Sequence, residues 1–158
     1  MRIRFRFMGV VYERVKKFFQ DDGWRLQADG VDVLHTSCRG AHGEWACEIH
    51  TREEPPQVIM YSQFSFTVPS AMRAAVAEYL VRANYGLIVG NFEADLDTGD
   101  VRYKTSVDAG SVTSLDKLLR PVVYANVQTM DQYWPGLLAV MFHGDAPDAA
   151  IAAVEQSL

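Results

Sequence analysis

The stretch from Leu87 to Val107 constrains this chain more than any other. It reads as two strands, Leu87–Leu96 and Val101–Val107, joined through Asp97-Thr98-Gly99-Asp100. With Thr98-Gly99 at the tip, Leu96 faces Val101, Ala94 faces Tyr103 and Phe92 faces Thr105 on one side. On the other side Asp95 faces Arg102 and Glu93 faces Lys104. Such a hairpin has one dry face and one charged face, so it belongs to an antiparallel sheet that something apolar must cover.

The covering elements are legible as helices. Pro69 opens one, since proline is tolerated in a first turn. Met72, Ala75, Val76, Tyr79, Leu80 and Ala83 then form one apolar stripe. Asn84-Tyr85-Gly86 ends it, with Gly86 free to adopt the left-handed conformation. Phe7, Val11, Val15, Phe18 and Phe19 give a first helix with Arg14, Lys16 and Lys17 on its other side. The last block carries Leu115, Leu118, Leu119, Val122, Met130 and Tyr133, with Thr113 and Asp116 as a shortened capping box. Pro121 is expected to kink or restart this helix, and Trp134-Pro135-Gly136 to break it before Leu137–Phe142. Asn126 is the odd polar residue on that stripe, read as a hydrogen-bonded core or interface amide. Pro147–Leu158 is alanine-rich and reads as a loosely held terminal helix.

Further strands are expected at Trp24–Ala28, Val33–Cys38, Glu44–Arg52 and Val58–Phe66, with turns at Asp29-Gly30, Arg39–Gly43 and Glu53–Pro56. The whole is an α+β chain: an antiparallel sheet with helices packed on one face, in a single domain over 1–158. Residues 1–17 form a basic arm and helix start, and 144–158 the terminal helix.

Charge narrows the function classes. The first twenty residues hold six basic side chains and one acid, so they carry +5 and the other 138 residues carry −10. A pI near 5.3 argues against a nucleic-acid binder, whose footprint is a basic face. Arg2-Ile3-Arg4-Phe5-Arg6-Phe7 could touch phosphate or an anionic membrane, but a solvated arm or a helix start is the commoner role of such a segment. It lacks the apolar stretch of a signal peptide, and no apolar run reaches the ~20 residues of a membrane span. The cytoplasm is the expected compartment.

His35-Thr-Ser-Cys38 and Cys47-Glu-Ile-His50 form a mirrored HxxC…CxxH that invites a zinc reading. With His42-Gly43 at the tip, Cys38 lies opposite Cys47 and His35 opposite His50. Residues three apart on a strand point to opposite faces, so the four ligands cannot converge on one tetrahedral ion. Asp95–Asp100 is too short for a calcium loop and lacks its closing glutamate. No GxSxG, P-loop, HExxH or GxGxxG occurs; Gly86 and Gly90 frame Leu-Ile-Val inside a strand. Neither a catalytic constellation nor a cofactor or metal site is expected.

Asn84-Tyr85-Gly86-Leu87-Ile88-Val89-Gly90-Asn91-Phe92-Glu93, continuing through Gly99-Asp100-Val101-Arg102-Tyr103-Lys104-Thr105-Ser106, resembles the signature of the YbjN family of bacterial proteins. Val68-Pro69, Trp45, Tyr61-Ser62, Tyr124-Ala125-Asn126-Val127, Met130-Asp131 and Tyr133 support the likeness, which runs from about Phe18 to Phe142. The resemblance implies a fold like that of type III secretion chaperones, in the order α-β-β-β-α-β-β-α to which the strand at Trp24 is an addition, and a regulator of sensory transduction, not known as an enzyme, that binds an unidentified protein partner as a homodimer. It does not imply a secretion role. A small-molecule sensor, with its ligand between sheet and helices, is the alternative. Asn84, Tyr85, Gly86, Gly90, Asn91, Phe92, Gly99 and Tyr103 are read as a structural motif; Tyr85, Trp134, Met141 and Phe142 are candidates for an interaction surface.

Overall fold

A computed structural model describes residues 9–110 and 114–156. The order is α1 (Val10–Asp21), β1 (Gln27–Asp29), β2 (Val33–Arg39), β3 (Glu44–Glu53), β4 (Pro56–Gln63), α2 (Arg73–Gly86), β5 (Asn91–Ala94), β6 (Val101–Asp108), α3 (Leu115–Leu138) and α4 (Pro147–Glu155). The strands form one antiparallel sheet in the order β1-β2-β3-β4-β6-β5, so the α+β reading with a one-sided sheet holds, while the order α-β-β-β-α-β-β-α is extended by the short edge strand β1 and by α4. Phe7 and Thr113 lie outside the described residues.

Period-two alternation divides the sheet. Thr36, Cys47, Ser62, Tyr103 and Phe92 are successive partners across five strands and face the helices. Leu34, Ile49, Met60 and Thr105 form the next inward row. His35, Glu48, Tyr61, Lys104 and Asn91 form a row on the open face. Trp45, Tyr79, Tyr103 and Met130 fill the layer between sheet and helices, each 2% exposed or less.

The two hairpins differ from expectation in the same way. Cys38 pairs with Trp45 and Thr36 with Cys47, while Phe92 pairs with Tyr103 and Ala94 with Val101. Both registers are shifted by two residues, which keeps every side chain on its expected face but removes the direct Cys38–Cys47 and His35–His50 pairs. The cause is longer loops. Gly40–Gly43 is closed by the Gly40 amide donating to the Gly43 carbonyl at 2.8 Å, and 95–100 by the Asp95 amide donating to Asp100 at 2.9 Å.

Other boundaries also moved. Residues 87–90 connect α2 to β5 and are not strand. The left-handed glycine here is Gly90 (φ +78°), whereas Gly86 remains helical at the end of α2. Pro121 and Pro135 both lie inside one continuous α3. An interior proline costs about 3 kcal/mol, and burial of Leu119, Val123, Tyr133 and Leu137 along that helix offsets it. A π-helical turn, Ala139–His143, follows directly. α4 buries Ala150, Ile151 and Val154, and packs on α2 and α3.

Candidate functional site

Two regions concentrate chemistry, and they use it differently. The first is the corner where α2 hands over to β5. The Asn84 side chain accepts the Phe92 amide at 2.7 Å and donates to the Phe92 carbonyl at 3.1 Å. It thus satisfies the outer edge of β5 as a neighbouring strand would. Asn91 Nδ2 also donates to that carbonyl, at 3.3 Å. The Tyr103 hydroxyl donates to the Val89 carbonyl, tying down the 87–90 connection. Phe92 packs against Tyr103 and Tyr133, with centroids 4.7 and 5.5 Å away.

Two glycines are required by close approach. A Cβ on Gly90 would lie 2.4 Å from the Lys104 carbonyl oxygen, and one on Gly99 (φ +88°) 2.3 Å from that of Val68. Arg73 completes the corner by donating to the carbonyls of Val68, Leu96, Asp97 and Thr98 at 2.8–3.2 Å. Asp95 Oδ1 accepts the amides of Asp97 and Thr98, which hold its carboxyl below the usual range. Beside them, burial pushes the Glu93 carboxyl up, but hydrogen bonds from Lys104 and Arg102 outweigh it and hold it low.

Tyr85 and Ile88, in the same segment, point outward and are 96% and 98% exposed. Val81, one turn earlier than Tyr85, is exposed as well, so an apolar stripe runs off the end of α2.

The second region is the far half of α3. Pro135 has no amide proton, so the Asp131 carbonyl loses its helical donor. His42 Nδ1 lies 3.1 Å from that carbonyl, while the Asp131 carboxylate accepts the Ala41 and His42 amides at 2.9 and 2.8 Å. The β2–β3 tip is thereby clasped to α3. Gly40 and Gly43 permit it, since added Cβ atoms would lie 2.1 Å from Asp131 and 2.3 Å from Trp134. Between this clasp, α3 and α4 runs an open groove of about 500 Å³, lined among others by Asp131, Pro135, Ala139, Asp145, Ala150 and Val154.

Trp134 and Met141 do not lie on the surface. Because α3 does not break, Trp134 turns inward, stacks on Trp45 at 5.5 Å and meets Phe64 at 4.6 Å; it is 3% exposed. Met141 is buried in the π-helical turn, whereas Phe142 is exposed and packs against half-exposed Phe66.

Asn126 is a core amide. Its Oδ1 accepts the Ser62 hydroxyl at 2.6 Å; its Nδ2 donates to the Met60 carbonyl at 3.0 Å and to Thr105 Oγ1 at 3.1 Å. Trp45 Nε1 donates to the same Ser62 oxygen at 2.9 Å. Cys47 lies beside this network, and burial pushes its thiol up to about 12. His35 and His50 lie on the open sheet face, flanking Glu48, with both cysteines on the opposite face. Among the described residues no three His, Cys, Asp or Glu side chains converge on a metal position. No described helix is long and apolar enough to cross a membrane.

Sequence reasoning passes over Arg73, and it places Asp131 on a solvated helix face and His42 at a hairpin tip without foreseeing the clasp between them. A cation in a helix's first turn opposes the macrodipole, and that misfit marks Arg73 as serving another partner. A proline four residues after Asp131 marks an open carbonyl.

No curated protein matches the chain. A solved structure described as "Crystal structure of YbjN, a putative transcription regulator from E. coli" aligns with a TM-score of 0.60 at 12% identity, over 84% of this chain and 92% of that one. That is a likeness of fold. The family model described as "Putative bacterial sensory transduction regulator" matches residues 12–138, which include the Asn84–Tyr103 corner and all of α3. The chain belongs to the YbjN family.

Proposed function

We propose that this chain is a non-catalytic, cytoplasmic protein-interaction module, chaperone-like or regulatory, that works as a homodimer. The observation that carries the reading is the contrast inside one short segment. Asn84, Gly90, Phe92 and Tyr103 are engaged in internal contacts, while Tyr85 and Ile88 stand 96% and 98% exposed. Apolar side chains left in water on one stripe mark an interaction surface. The motif residues, with Asn91, Gly86 and Gly99, are architecture on this reading. Tyr85 and Phe142 supply the exposed aromatic contacts. The sensor alternative asks for a ligand between sheet and helices, where Trp45, Tyr103, Met60 and Met130 already fill the space.

Affinity purification from the native host tests the reading, comparing the wild-type chain with a Tyr85→Asp/Ile88→Asp variant by mass spectrometry. At least one protein is expected to co-purify with the wild type and to be lost from the variant at unchanged melting temperature. Identical captured sets would overturn it. Light scattering at micromolar concentrations tests the dimer separately: twice 17.7 kDa is expected, and the monomer mass would reject it.

A further inference from the structure

The groove between α3 and α4 has a chemical bias. From Pro121 to Leu158 the sequence holds Asp131, Asp145, Asp148 and Glu155 but no lysine or arginine. Both helical walls of the groove come from that stretch. Its floor is small and apolar, from Pro135, Ala139, Ala150 and Val154, and Asp131 and Asp145 lie on its lining. No lysine or arginine lines it among the described residues. An occupant must therefore offer apolar groups to the floor and positive charge to the rim at Asp145; the one imidazole on the lining, His42, is held 3.5 Å from the Asp131 carboxylate, and an acidic occupant would meet the Asp145 carboxylate. The wall formed by Ala139, Asp145, Ala150 and Val154 lies beyond the family-matched residues 12–138.

We propose that this groove docks a basic, apolar peptide segment of a partner protein, seating a leucine- or phenylalanine-sized side chain against Ala139 and Ala150 and a lysine or arginine beside Asp145. The proposal rests on the interaction-module reading and adds where a partner docks and what chemistry recognises it. The hairpin tip fixes the groove's shape through the Asp131 clasp, so the site is preformed and not assembled on binding.

The test is fluorescence anisotropy of the full chain with a labelled heptapeptide, Lys-Leu-Lys-Phe-Lys-Leu-Lys, and its control, Glu-Leu-Glu-Phe-Glu-Leu-Glu. The basic peptide is expected to bind, and to bind at least tenfold more weakly at high salt. The acidic control is expected not to bind. Asp145→Lys, on an exposed loop, is expected to weaken binding at least tenfold at unchanged melting temperature. Ala139→Phe is expected to block binding by filling the floor; should it unfold the chain, Asp145→Lys decides alone. Equal binding of both peptides, or wild-type affinity in Asp145→Lys, would overturn the proposal. So would binding that halves the solution mass, since the occupant would then be a second copy. If the basic peptide fails to bind while Tyr85→Asp/Ile88→Asp still loses its captured protein, the groove proposal falls alone. If that variant loses nothing, the module reading falls as well.

Discussion

The corner at Asn84–Tyr103 and the groove at Asp131–Val154 are both rich in polar groups, but only one of them directs those groups inward. At the corner, Asn84, Arg73, Asp95 and Tyr103 each bind a backbone group of the same fold, and Gly90 and Gly99 let the chains approach. At the groove, Asp131 holds one loop, while Asp145 and a small-residue floor face an open space of about 500 Å³. The difference teaches where to look in this chain. The most conspicuous motif holds an edge strand, and one wall of the candidate docking surface, Ala139 to Val154, lies beyond the family-matched residues.

The largest test of the corner-as-architecture reading lies under it. Asn126→Leu leaves the Ser62 and Thr105 hydroxyls and the Met60 carbonyl short of a partner, and should cost about 3 kcal/mol. Urea denaturation measures it; a loss under about 1 kcal/mol means that the amide is not the core's polar hub. Gly90→Ala combines a positive φ with a Cβ 2.4 Å from a carbonyl oxygen, and should cost about 2 kcal/mol in the same assay. Asn84→Ala uncaps the β5 edge at a cost of about 1.5 kcal/mol, with amide exchange accelerating at Phe92.

A smaller effect is pH-dependent. The Glu93 carboxyl is held low in the folded chain, so its contribution is present above its unfolded value, ~4.3, and is lost as pH falls through the folded one. Glu93→Gln should therefore be less stable than wild type at pH 7, by less than about 1 kcal/mol. That gap should close in acid. A gap that widened in acid would mean that the ion pairs with Arg102 and Lys104 are not what holds the carboxyl low.

How much was legible in the sequence follows from which forces set each feature. The helical stripe of Val76, Tyr79, Leu80 and Ala83 and the inward face of every long strand are local periodicities, and they reappear in the structure. Asn126 stood out because an amide interrupted an apolar stripe. Register was off by two in both hairpins because loop length is decided by distant groups: Asp131 holds the Gly40–Gly43 loop, and Arg73 holds 95–100. Proline also misled. A break was expected at Trp134-Pro135, but packing of Trp134 on Trp45 and Phe64 carries the helix through and buries a residue expected at the surface. The groove was illegible because its walls meet only through tertiary packing of α3, α4 and the clasped hairpin tip.

Hydrogen exchange of the full chain, with and without a purified partner from the native host, tests most directly whether these two regions divide architecture from recognition. Slowed exchange is expected at 81–89 and along 136–155, with β5 and β6 unchanged. Protection confined to β5 and β6, with the α2 stripe and the groove exchanging freely, would make the motif itself the binding site and reverse the assignment.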